Sequence, residues 1–120
     1  MPEPGFPVHA RSEEPGVLRL RVRIPEDHAC FAGHFPHVPV LPGIAHLALV
    51  DQALRAFLGD RVRLSALPSL RLRHPVRPGE ILDVLLRVPA DGGSVRFELR
   101  RAEDVVSAGT LVMGEQDRDR

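Results

Sequence analysis

At 120 residues the chain has the length of one domain. Its 16 basic and 16 acidic residues cancel to a formal charge of zero, which argues against a nucleic-acid or anionic-membrane binder. Cys30 is the single cysteine, so no intrachain disulfide can form, and no apolar run reaches the length of a membrane span.

The hydrophobic share, 43%, is enough to bury a core, and a chain this short often adds burial by oligomerising. Every basic residue is an arginine. The start, MPEPGF, has neither a basic segment nor an apolar one of signal-peptide type, and a cytoplasmic location is expected.

Residues 1–15 carry Pro2, Pro4, Pro7 and Pro15 among glycine and charges, and read as a loosely held arm. From Val17 to Ile24, Leu18, Leu20, Val22 and Ile24 alternate with Arg19, Arg21 and Arg23, the period of a half-buried strand. Pro25 breaks it, and Ala29 to Phe31 is a candidate short extended piece. Then comes His34-Phe35-Pro36, with Pro39 and Pro42 following and Gly43 after them. Each proline fixes its own φ and restricts the residue before it, so this loop is stiff.

Ile44 to Leu58 has helical spacing, entered through Pro42 and closed by Gly59. Ile44, Leu47, Ala48, Val50, Leu54, Phe57 and Leu58 spread around most of its circumference, which predicts a helix enclosed by the rest of the fold. The remainder predicts strands: Val62 to Arg73 with a bend or bulge at Pro68, Ile81 to Val88, Ser94 to Arg101 after an Asp91-Gly92-Gly93 hairpin, and Asp104 to Met113 after a turn at Ala102-Glu103. Pro75 to Gly79 reads as a turn, and residues 114–120 as a flexible tail on a domain spanning 16–113. One helix among antiparallel strands predicts an α+β fold, a curved sheet wrapped around a central helix.

The loop and the helix start bring together two parts of an acyl-chemistry site. His34 is a proton-transfer group that titrates near neutral pH. The Gly43 N–H belongs to a positive helix end able to hold a carbonyl oxygen as it gains charge. Plainer readings stand beside these: a loop histidine bonded to a backbone carbonyl, and a turn glycine after Pro42. Asp51 is open to two readings, a general acid or an i,i+4 ion pair with Arg55. His46 reads as a partly exposed or dimer-contact residue. His28, His37 and His74 scatter without metal-ligand spacing, and no metal site is expected.

His34-Phe35-Pro36-x-x-Pro39-x-x-Pro42-Gly43 resembles the signature of the hotdog-fold beta-hydroxyacyl-(acyl carrier protein) dehydratases. Arg73-His74-Pro75-Val76-Arg77-Pro78-Gly79-Glu80 is similar to that family's strand-to-strand turn, and Gln52 stands where its helix commonly has glutamine. The resemblance covers roughly residues 17–113 and implies a hotdog homodimer or an assembly of such dimers. It also implies an acyl thioester of carrier protein or coenzyme A as substrate, no cofactor, and a site where the histidine of one subunit faces the helix of the other. On this reading His34 is the base and the Gly43 N–H the carbonyl donor, while Phe35, Pro42, Ala48 and Gln52 line the substrate pocket. Arg71, Arg73 and Arg77 either meet an acidic carrier protein or form a solvated strand face. The family's helix acid falls at position 48, which here is Ala48. Its work would pass to Asp51, to His34 itself or to water. Two further readings follow: a hotdog thioesterase using Asp51, and an acyl-binding or partner subunit without turnover.

Overall fold

Leu18, Leu20 and Val22 are buried while Arg19 and Arg21 are exposed, and this alternation sets one face of a sheet against a helix. The computed structural model describes residues 5–27 and 41–115. In chain order its elements are β1 (Val8–Glu14), β2 (Val17–Arg23), α1 (Gly43–Leu58), β3 (Val62–Leu72), β4 (Ile81–Arg87), β5 (Val95–Arg101) and β6 (Asp104–Glu115). The strands form one antiparallel sheet in the order β1-β2-β4-β5-β6-β3. The α+β arrangement expected from the sequence is therefore the one observed.

α1 lies on the sheet face that carries Leu18, Leu20, Leu82, Val84, Leu86, Phe97 and Leu99. Its own buried side is Ala45, His46, Leu49, Val50, Ala53 and Leu54. Each large aliphatic side chain on that side contributes about 1.5–3 kcal/mol by leaving water. Gly59, at φ 103°, ends the helix and donates its N–H to the Arg55 carbonyl at 2.9 Å.

β3 shows how the core face survives an irregular strand. Its register against β6 shifts between Leu64 and Ala66 and again between Ala66 and Ser69, each shift opposing one more residue of β3 than of β6. Val62, Leu64, Leu67 and Leu70 all pack on the core although strict alternation would turn Leu67 outward. The irregularity expected at Pro68 lies within the second shift. β6 is held close to its neighbours by Gly109. A Cβ there would stand 2.2 Å from the Ser69 carbonyl oxygen and 2.8 Å from Cζ of Phe97.

Three expectations need correction. Residues 8–14 are not a loose arm: they form β1, paired with β2 from Val8↔Val22 to Glu14↔Val17. Every side chain of β1 is exposed, so the strand is held by its backbone ladder and leaves no apolar alternation to read. Buried Phe6 anchors the segment ahead of it. Gly114 and Glu115, expected in the tail, belong instead to β6.

His46 is the third. It is 2% exposed, and its Nδ1 lies 3.0 Å from Oγ of Ser107, itself fully buried on β6. Burial pushes the His46 pKa below its ordinary 6.5, against the opposing effect of a hydrogen bond with the Leu41 backbone. The ring packs inward because Ser107 and Leu41 satisfy it there.

Gly109→Ala should lower stability by roughly 3 kcal/mol, the upper part of the usual range for overpacking, because a backbone carbonyl cannot step aside as a side chain can. A denaturation midpoint unchanged from wild type would contradict the packing described. His46 adds a pH dependence. The unfolded chain takes up this proton near the ordinary value of 6.5, whereas the folded chain resists it until lower pH. The His46 contribution is therefore complete above that value and is lost as pH falls through the lowered folded pKa. Urea unfolding at about pH 8 and about pH 5.5 should show a larger loss for wild type than for His46→Gln, which keeps a partner for Ser107 but no titrating proton.

Candidate functional site

The helix entrance is fixed from two sides. The Leu41 N–H donates to the Val76 carbonyl at 2.6 Å, and Val76 is fully buried. The turn at residues 75–79 is itself held: Gly79 N–H donates to Ile24 O at 2.6 Å, and Arg101 Nη1 lies 2.9 Å from both Pro75 O and Glu80 Oε1. The second sequence motif is thus the support on which the first one ends. Beyond Leu41, Pro42 is the N-cap of α1, with φ −68° and ψ 156° and no side-chain cap. The first turn holds no acid. The Ala45 N–H donates to Pro42 O at 2.9 Å, while the N–H groups of Gly43 and Ile44 have no acceptor among the described residues. An uncapped helix start of this kind offers donors and a partial positive charge to an incoming oxygen.

The surface around those donors is apolar. Ile44 is 77% exposed and Leu72 53% exposed, and a Cβ on Gly43 would lie 3.2 Å from Cδ1 of Leu72. Ile44, Ala48, Asp51 and Arg55 follow one another at helical spacing along a single stripe of α1. Ala48 is exposed on this stripe and brings no titratable group. Asp51 is half-buried one turn further along, where its Oδ2 accepts from Nε of Arg55 at 3.0 Å and from Nη2 of the same residue. The i,i+4 pair is therefore present. Partly exposed pairs of this type contribute a few tenths of a kcal/mol.

Gln52 points elsewhere. Its Oε1 accepts the Phe6 N–H and its Nε2 donates to the Phe6 carbonyl, both at 2.9 Å. The side-chain amide imitates a strand partner and clamps the segment that leads into β1. This engagement, rather than a pocket contact, is what the structure displays for Gln52. Arg71 of β3 and Arg73 just after its end, both exposed, share an open groove with Arg87 and Arg96. Arg77 is exposed on the 75–79 turn and does not line that groove. His34, Phe35, Pro36 and Pro39 lie outside the described residues, as do His28, Cys30, His37 and residues 29–31. Sequence reasoning missed the His46–Ser107 pair and the Gln52 clamp. For the first, the signal was a histidine at i,i+3 and i,i+4 spacing from Leu49 and Val50, both of which are buried.

A family model described as ApeI-like, for the ApeI dehydratase, matches residues 10–110. The 3-hydroxyacyl-(acyl-carrier-protein) dehydratase FabZ of Chlamydia trachomatis is 33% identical over 93 residues, covering 68% of this chain and 61% of that protein. FabZ of Latilactobacillus sakei is 35% identical over 81 residues, covering 61% of this chain and 58% of its own. The chain thus spans about three-fifths of the length of these relatives. Among solved structures, a chain of the dehydratase heterocomplex ApeI:P from Xenorhabdus doucetiae superposes with a TM-score of 0.81 at 19% identity, over 90% of this chain and 96% of that one. The PaaI protein of the phenylacetic acid degradation operon of E. coli gives 0.66 at 15% identity, over 92% and 82%. These two likenesses establish the hotdog fold. With the family match running through every strand and the helix, the chain belongs to the ApeI-like dehydratase family.

Proposed function

We propose that the protein dehydrates a 3-hydroxyacyl thioester carried by acyl carrier protein or coenzyme A, at a site shared between the two subunits of a homodimer. The observation that carries this reading is the uncapped start of α1, where the Gly43 N–H has no acceptor among the described residues and sits in an exposed apolar patch. The thioester carbonyl would accept from that N–H. His34 of the facing subunit would take the α-proton, and the electron pair left on the α-carbon would form the new double bond as the C–O bond to the β-hydroxyl breaks. The carbonyl oxygen carries the charge that develops, and a donor already in place there lowers the barrier by about 3–4 kcal/mol in measured cases.

The leaving hydroxyl needs a proton. Ala48 has none to give, and Asp51 is occupied by Arg55. The simplest balanced path returns the proton just taken by His34, so that water leaves and the imidazole is neutral again. One group then does work that two groups usually divide, and a slow enzyme is expected. The apolar exposure of Ile44 and Leu72 supports the dimer, because a patch of this kind beside a helix start is what a partner subunit or an acyl chain would cover. Phe35, Pro42 and Ala48 remain the proposed lining of the acyl pocket.

A second reading is supported by Ala48 together with the structural neighbour, which is a member of a heterocomplex. On that reading the chain is a subunit that pairs with an acid-bearing homologue. Thiol release from an acyl thioester, abolished by Asp51→Asn, would instead indicate a thioesterase.

Conversion of a 3-hydroxyacyl carrier-protein thioester to the enoyl form should fall at least about 100-fold in His34→Ala, the ordinary contribution of a positioned base. Equal rates for this variant and wild type would rule the mechanism out. Ala48→Glu should raise the rate by about 10-fold or more, since it adds a proton donor on the exposed stripe next to Gly43. Asp51→Asn should stay within about threefold of wild type, as expected of a residue whose role is an exposed ion pair. No turnover in any variant, with a homologous chain co-purifying, would favour the second reading.

A further inference from the structure

The outer face of the sheet, turned away from α1, holds an unusual concentration of one charge. Arg71, Arg73, Arg87 and Arg96 line an open groove of about 680 Å³ that crosses β3, β6, β5 and β4. Arg87 and Arg96 also line a hollow of about 260 Å³ that reaches Pro15 and Gly16 at the β1–β2 turn, so the two form a continuous trough. Within it Arg87 and Arg96 are register partners on β4 and β5. Two like charges directly opposed across a ladder are unfavourable to the fold.

The face does not neutralise them. Asp83 is taken by Arg21 at 3.0 Å, and Glu98 by Arg100 at 2.8 Å. None of the four trough arginines has an ion-pair partner among the described residues. The chain as a whole is neutral, so this is a segregation of charge and not a general basic excess. The arginines lie on strands up to three intervals apart, roughly 14 Å at the usual strand spacing. That is too wide for a single phosphate and suits several carboxylates in succession. The floor includes Leu85 and Ala108, apolar surface that a protein segment would cover.

We propose that this trough docks an acidic segment of a partner protein. It lies on the opposite side of the sheet from Gly43 and does not depend on the dehydratase reading. The test is fluorescence anisotropy of the full chain with a fluorescein-labelled deca-glutamate peptide at low salt. Saturable binding is expected, and Arg96→Glu should weaken it at least about 10-fold, while its new carboxylate opposes Arg87 and leaves the thermal midpoint equal to wild type or above it. Arg61→Glu makes the same charge change away from the trough and should alter affinity less than twofold. The proposal is overturned by absent binding in wild type, or by equal weakening in Arg61→Glu. Tighter binding of a deca-thymidine oligonucleotide than of the peptide, or displacement of the peptide by an equimolar amount of inorganic phosphate, would overturn it too.

Discussion

A single backbone hydrogen bond, from the Leu41 N–H to the Val76 carbonyl, fixes where the helix begins. Val76 is buried in a turn that is tied to Ile24 on one side and, through Arg101, to the end of β5 on the other. One turn into the helix, His46 is fastened to Ser107 of β6. The entrance of α1 is therefore located against the sheet by the backbone before Pro42 and by a polar pair after it. Both fastenings are buried, where an unpaired polar group would be costly, so each resists the small shifts that would misdirect the N–H groups of Gly43 and Ile44 between them. Hydrophobic burial alone, being non-directional, would leave the helix free to slide by a fraction of a turn.

This division of labour explains why the candidate site has so little chemistry of its own. The donors at Gly43 and Ile44 are backbone groups without an acceptor among the described residues, since the N-cap is a proline with no side-chain acceptor to offer. The stripe that passes them carries an alanine where an acid would be useful and an aspartate that is paired to Arg55. What is left is a set of backbone donors at the helix start, and on the proposed reading the base comes to them as His34 of the facing subunit. On that reading activity and oligomeric state are aspects of the same arrangement, and the exposed Ile44 and Leu72 are the apolar surface a partner would cover.

Much of the fold was legible in the sequence because the sheet is amphipathic in the plainest way. β2, β4 and β5 alternate, and the helix carries a broad apolar surface. The places where the reading failed share a physical cause: in each, long-range backbone or side-chain hydrogen bonds replace apolar periodicity. β1 has seven exposed side chains and exists through its ladder with β2. Leu67 keeps to the core only because the register shifts in β3, which a period of two cannot express. His46 and Gln52 look like ordinary polar positions until Ser107 and Phe6, distant in sequence, are brought beside them. At the site the proline motif and the turn motif were both visible, yet the hydrogen bond between their ends was not, since nothing local to either segment specifies it.

The central claim is that an intact site needs the Gly43 N–H from one protomer and His34 from another. Gly43→Pro removes that N–H at a helix position where proline is tolerated, and Pro42 already has the extended ψ of 156° that a following proline requires. Co-expressing His34→Ala chains with Gly43→Pro chains would give mixed dimers in which one site carries both defects and the other neither. Dehydratase activity of the co-expressed material should recover to about a quarter of wild type, although each variant alone is inactive. Activity no higher than that of the separate variants would show that the two groups do not converge across the dimer.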